Sequence, residues 1–167
     1  MNEVHDNVSH RTRLIRPDDN PAVAQIIRQV MTEFGAVGCG FSSDDAEIDA
    51  MYEAYTVPGS AFFVIEQSDK VLGCGGMGPL AGGGPDVCEL RKMYFLPGLR
   101  GSGQGTRFLK TILDAARKAG YTTCYLETMD AMAAARHLYF KHGFEPIESP
   151  LGNTGHGSCN RFMAMDL

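Results

Sequence analysis

A glycine-rich run, Arg100-Gly-Ser-Gly-Gln-Gly105, joins a strand-like segment at residues 89–95 to a helix-like segment at 104–119. Few local features constrain a chain more. Glycines permit positive φ and close approach of a ligand to the amides. The helix that follows offers unpaired N–H groups and the positive end of its dipole, a ready site for phosphate. Two common phosphate loops fail on register. A P-loop needs Lys directly before Ser/Thr, and here Gly105 precedes Thr106. A dinucleotide fingerprint counted from Gly101 and Gly103 would need its third glycine at Thr106. The pattern that fits is Arg-x-x-Gly-x-Gly, on Arg100, Gly103 and Gly105.

The 167 residues are read as a loose N-terminal tail, 1–10, and a single domain, 11–167. No apolar stretch approaches the roughly 20 residues that span a bilayer. The polar start lacks the apolar core of a signal peptide, so the expected location is cytoplasmic. A net charge of −5 argues against a nucleic-acid partner and suits a cationic acceptor or plain solubility. The five cysteines, Cys39, Cys74, Cys88, Cys124 and Cys159, never form Cys-x-x-Cys and read as reduced thiols. His156 and Cys159 are three apart but lack a second ligand pair, so no metal is expected.

Periodicity gives the element order β-α-α-β-β-β-α-β-α-β-β. Residues 12–16 form a short strand. Asn20-Pro21 caps a first helix with Val23, Ile26, Ile27, Val30 and Phe34 on one face, closed by Gly35. A second helix, 43–55, carries Ile48, Met51, Tyr52 and Tyr55. Runs 61–66 and 71–77 make a hairpin around 67–70. After the strand at 89–95 and the helix at 104–119 come a β-branched strand, 122–128, and a helix capped by Asp130 that runs to Gly143. Two terminal strands, 144–147 and 160–167, enclose the glycine-rich loop 152–157. This is an α+β chain: a mixed, mostly antiparallel sheet of about seven strands flanked by four helices.

Three blocks, CELRKMYFLPGLRGSGQG, YTTCYLETM and ARHLYFKHGF, together resemble the GNAT superfamily of N-acyltransferases. The resemblance implies acetyl-CoA as co-substrate. Its pyrophosphate would lie on Arg100, Gly101, Ser102, Gly103, Gln104, Gly105 and Thr106. Its pantetheine arm would lie against Met93, Tyr94 and Phe95, in a gap beside the strand 122–128, with Met132 and Ala135 on the last helix. Many members place an Asn where this chain has Met132, so an apolar contact replaces a polar one there. Tyr139, four residues before Gly143-Phe144, would protonate the departing thiolate; a core tyrosine is the alternative.

For the base, Glu89 alternates with Arg91, Met93 and Phe95, and these residues are expected to share one strand face open to the acceptor. An ion pair of Glu89 with Arg91 is the competing reading. Glu127, on the strand 122–128, is a lesser candidate for the base and, with Tyr52 and His156, the last in a glycine-flanked lid, a candidate acceptor-binding residue. The implied function is N-acetyl transfer to a primary amine of a small or amino-acid-like molecule, by direct attack in a ternary complex. The competing classes are a non-catalytic acyl-CoA-binding or regulatory module and a protein N-terminal or lysine acetyltransferase. A homodimer is a candidate assembly.

Overall fold

The structure is a computed structural model and describes residues 9–38 and 40–167. The tail read at 1–10 lies outside it except for Ser9 and His10, as does Cys39. The elements are β1 (Arg11–Leu14), α1 (Asn20–Glu33), α2 (Met51–Tyr55), β2 (Ala61–Gln67), β3 (Lys70–Pro79), β4 (Val87–Phe95), α3 (Gln104–Lys118), β5 (Thr123–Thr128), α4 (Ala133–Lys141), β6 (Glu145–Ile147) and β7 (Arg161–Asp166). Their order is the one the periodicity implies. One seven-stranded sheet runs β1-β2-β3-β4-β5-β7-β6. Its pairings are antiparallel except β4 with β5.

A core lies on each face of the sheet. On one, Phe108, Leu109, Ile112 and Leu113 of α3 pack against Cys88, Leu90, Cys124 and Leu126. On the other, Val23, Ile26, Ile27 and Val30 of α1, with Ile48, Met51 and Tyr55, cover Phe62, Val64 and Cys74. Full burial of each large apolar side chain contributes roughly 1.5–3 kcal/mol, which is why the helical stripes set these elements. No helix among the described residues is long and apolar enough to cross a membrane.

Three local expectations need correction. Asn20 is the first residue of α1, not its cap; its side chain instead accepts from the Tyr52 amide and donates to Glu53. The expected helix over 43–55 is broken into 3-10 turns at Ser42–Asp44 and Ile48–Ala50 before the short α2. The Ser-Ser-Asp-Asp run favours turns over helix, and Asp45 is extended, with its carboxylate drawn to Lys92 and His156. Asp130 does not cap α4, whose N-cap is Met132; Asp130 binds Asn160 and Arg161 instead.

The β2–β3 turn has Ser68 and Asp69 at φ 47° and 62°. A two-residue turn with both φ values positive prefers Asn-Gly. Replacing Ser68-Asp69 by Asn-Gly is expected to stabilise the fold by about 1 kcal/mol. That should appear as a rise in Tm of roughly 2–4 °C in a thermal melt.

One irregularity positions the site. Against β3, Gly76 pairs with Arg91 and Cys74 with Tyr94, so Lys92 and Met93 together face Gly75. This is a β-bulge, with Lys92 left-handed at φ 52°. A Cβ on Gly75 would come within 3.0 Å of the Met93 Cα, so glycine is needed opposite the bulge. The extra residue resets the alternation of β4. Glu89 and Arg91 face the α1 side before it, Lys92 and Tyr94 after it, while Met93 and Phe95 turn to the α3 core. The expected shared face of Glu89, Arg91, Met93 and Phe95 is therefore split.

Candidate active site

β4 and β5 pair only at Val87↔Thr123, Cys88↔Cys124 and Glu89↔Tyr125. Beyond those positions β4 runs on to Phe95 and β5 to Thr128 without pairing, and the sheet opens into a wedge. Two cavities occupy it. The larger, about 300 Å³, is lined by Met93, Tyr94, Phe95, Arg100, Gly101, Gly103, Gly105, Thr106, Met132, Ala135 and Tyr139. The smaller, about 50 Å³, is lined by Glu89, Arg91, Lys92, Tyr94, Glu127, Met132, His156 and Cys159, among others. Tyr94 and Met132 line both, so the two cavities adjoin.

At the large cavity's mouth, Gly101 and Gly103 have φ 73° and 77°, and Gly103 is the N-cap of α3. The left-handed glycine caps turn the first amides of α3 outward, the geometry that receives an anion. Ser102 donates to the Leu99 carbonyl and Gln104 lies 3.4 Å from His10, so neither side chain lines the cavity. Arg100 forms a fork with Glu33 at the end of α1, donates to the Phe95 carbonyl and lies over the Phe34 ring. Its charge is thus partly answered within the protein, and it ties the loop to α1.

Tyr139 is 6% exposed and its ring meets Phe144 edge-on. Its hydroxyl has no hydrogen-bond partner among the described residues, and burial pushes the phenol well up. A phenol so held stays protonated and can donate. Cys88 and Cys124 face each other from paired strands inside the α3 core, away from both cavities. Cys159 does line the smaller one, but burial pushes its thiol up to about 12, which leaves it a thiol and not a nucleophile.

The smaller cavity is walled by charge. Glu89 Oε2 accepts from Arg91 Nε at 2.6 Å, while its other oxygen has no hydrogen bond among the described residues. Burial raises the Glu89 carboxyl against the pull of Arg91. Arg91 also lies over the Tyr55 ring, and Tyr55 donates to Glu47. Lys92, 2% exposed at its side chain, donates to Asp45 and Glu47. Those two bonds offset the cost, of order 1–2 kcal/mol, of its left-handed backbone. Glu127 accepts from Tyr125 at 2.8 Å and Thr154 at 2.9 Å.

His156 lies 3.1 Å from Asp45 and 4.0 Å from Glu127. Its bond to Asp45 raises it above the ordinary histidine value, outweighing burial. Burial works to raise Asp45, but His156 and Lys92 hold its carboxyl below the usual range. These contacts, with the Ser158 amide donating to the Gly40 carbonyl, close the loop 152–159 over the cavity.

The structure thus brings together Tyr139, Glu89, Glu127, His156, Met132, Ala135 and the cavity-lining part of the glycine loop. Tyr52 is a correction: its side chain packs with the α1 core and lines neither of these two cavities, while its backbone amide donates to Asn20 Oδ1. Asp45, Glu47, Lys92 and Tyr125 were not legible as site residues. A bulge that places a lysine cannot be read from alternation, although the turn-forming 42–45 run marked where the helix would break. Among the described residues no cluster of three or more His, Cys, Asp or Glu is arranged to hold a metal.

Comparison with known proteins shows the family and the fold. Residues 24–144 match the sequence model of the Acetyltransferase (GNAT) family. An uncharacterized N-acetyltransferase of Escherichia coli (strain K12), YjgM, is 42% identical over 156 residues, covering 93% of each chain. A GNAT-family acetyltransferase from Staphylococcus aureus Mu50 shares the fold with a TM-score of 0.84 at 18% identity, over 95% of this chain and 99% of that one. The PaiA N-acetyltransferase of Thermoplasma acidophilum, solved in complex with coenzyme A, gives 0.71 at 16% identity, over 95% and 99%.

Proposed function

This chain belongs to the GNAT acetyltransferase family, and from that premise we propose that it transfers the acetyl group of acetyl-CoA directly to a primary amine of a small or amino-acid-like molecule. The observation that carries the reading is the junction of the two cavities at Tyr94 and Met132. An extended thioester in the larger would present its carbonyl to a nucleophile in the smaller. No acyl-enzyme is needed, and holding both reactants in one wedge supplies much of the rate by proximity.

In this reading the pyrophosphate rests on the amides from Gly101 to Thr106. The pantetheine amides pair with the unpaired edge of β4 at Met93–Phe95, as an added strand would. Backbone N–H groups there polarise the thioester carbonyl. The acceptor enters as an ammonium, attracted by Glu89 and Glu127, and must lose a proton before it can attack. The free oxygen of Glu89 takes that proton directly or through water. Tyr139 protonates the thiolate as it leaves.

The closed cover favours a small acceptor over a protein chain, which would need an open groove. A non-catalytic acyl-CoA module would have no use for a second, charged cavity. The decisive experiment is a panel of amines assayed by free CoA release, with wild type and Glu89→Gln side by side. Turnover of one or more amines by wild type, and a kcat about 10²-fold lower in Glu89→Gln, is the expected result. Release confined to peptide acceptors would replace the small-molecule reading. Equal kcat in the two proteins would remove Glu89 as the base.

A further inference from the structure

Among the groups lining the smaller cavity, His156 is held in an unusual way. Its Nε2 lies 3.1 Å from each carboxylate oxygen of Asp45 and its Nδ1 lies 4.0 Å from Glu127 Oε2. A neutral imidazole fixed by a carboxylate keeps its one proton on the nitrogen facing that carboxylate. The lone pair of Nδ1 then faces Glu127 and the cavity. Asp45 is itself fixed from the far side by Lys92 Nζ. The other lining groups serve poorly for carrying a proton out. Arg91 is committed to Glu89, and Glu127 already accepts from two hydroxyls. Lys92 is enclosed, whereas His156 keeps 15% of its side chain open to solvent.

Resting on the acetyl-transfer reading above, we propose that His156, oriented by Asp45, is the outlet through which the acceptor's proton leaves the cavity. The acceptor R–NH₃⁺ gives one proton to Glu89 or a water beside it, and this passes to His156 Nδ1. The imidazolium then releases it to solvent. The freed nitrogen lone pair forms the N–C bond while the carbonyl π electrons move to oxygen. When the oxyanion collapses, the C–S bond breaks and the sulfur takes the Tyr139 proton. The nitrogen's second proton restores Tyr139. The sum is one amide, one free thiol and one proton released.

Charged and titratable groups surround this imidazole from several elements, while α1 and the 129–132 segment line its cavity with Met31, Met129 and Met132. Asp45 and Glu47 come from the 42–47 segment, Glu89, Arg91 and Lys92 from β4, Tyr125 and Glu127 from β5, and Cys159 from its own loop. The bond to Asp45 raises His156, while burial and Lys92 oppose it. The outlet works only with His156 neutral before transfer, so kcat should fall as pH drops through that raised value.

The test measures kcat at saturating acetyl-CoA and amine, on an acceptor that wild type turns over. His156→Ala should lower kcat at neutral pH about tenfold or more. It should lose the acid limb of the profile and recover activity as imidazole buffer is added. Asp45→Asn should keep the limb but move it to lower pH. CoA affinity by calorimetry, unchanged in both, shows that the variants are folded. Wild-type kcat in His156→Ala, absence of imidazole rescue, or an unmoved limb in Asp45→Asn overturns the proposal. A wild type that acetylates no amine overturns the reading on which it rests.

Discussion

Tyr139→Phe is expected to lower kcat by about 10²-fold or more while leaving CoA affinity within about twofold of wild type. The reason is that the substitution removes one hydroxyl and little else. The ring keeps its edge-on contact with Phe144. The lost hydroxyl has no hydrogen-bond partner among the described residues, so no buried group is left unpaired. Stability should therefore stay level or rise slightly, which separates a chemical loss from a folding one. Burial holds the phenol protonated far into the alkaline range, so wild-type kcat should show no basic limb from Tyr139 below about pH 10. Single-turnover rates of acetyl transfer, with CoA binding measured in parallel, decide the matter. An unchanged rate would make Tyr139 a core residue and require another acid for the thiolate.

How much of this site could be read from the chain follows from which interactions are local. The glycine loop, α3 and Tyr139 were legible because each depends on neighbours in sequence: positive-φ glycines, an amphipathic stripe, a helix ending at Gly143-Phe144. The acceptor wall was less so. Glu89, Glu127 and His156 could be nominated as titratable residues, but Lys92 reaches the wall only because the bulge adds a residue to β4 opposite Gly75. A register shift depends on two strands together, and no periodicity within one reports it. The same shift sent Met93 and Phe95 to the α3 core. Asp45 and Glu47 were hidden inside an expected helix; their pairing with Lys92 and His156 spans more of the chain than any local pattern can see.

Gly103→Val should weaken CoA binding by about 10²-fold or more, although nothing in the fold collides with the new side chain. An added Cβ at Gly103 finds no heavy atom within 4 Å. The effect comes from the backbone: Gly103 stands at φ 77°, where a β-branched residue is a genuine outlier costing at least about 1–2 kcal/mol. The loop is exposed and relieves that strain by rotating its peptides. The amides at the start of α3 then no longer converge on an anion.

Each hydrogen bond to a charged group contributes about 1.5–3 kcal/mol, so misdirecting two of them predicts the loss stated. The apolar stripe of α3 is untouched, and the Tm should fall by no more than roughly 8 °C. Gly103→Ala, which tolerates the left-handed region less badly, should fall between wild type and the valine variant. Calorimetric titration with CoA tests the series. Dephospho-CoA, which keeps the pyrophosphate but lacks the 3′-phosphate, should lose affinity in parallel across the three proteins. Equal CoA affinity in wild type and Gly103→Val would show that the loop amides do not hold the pyrophosphate, whatever else the glycines do.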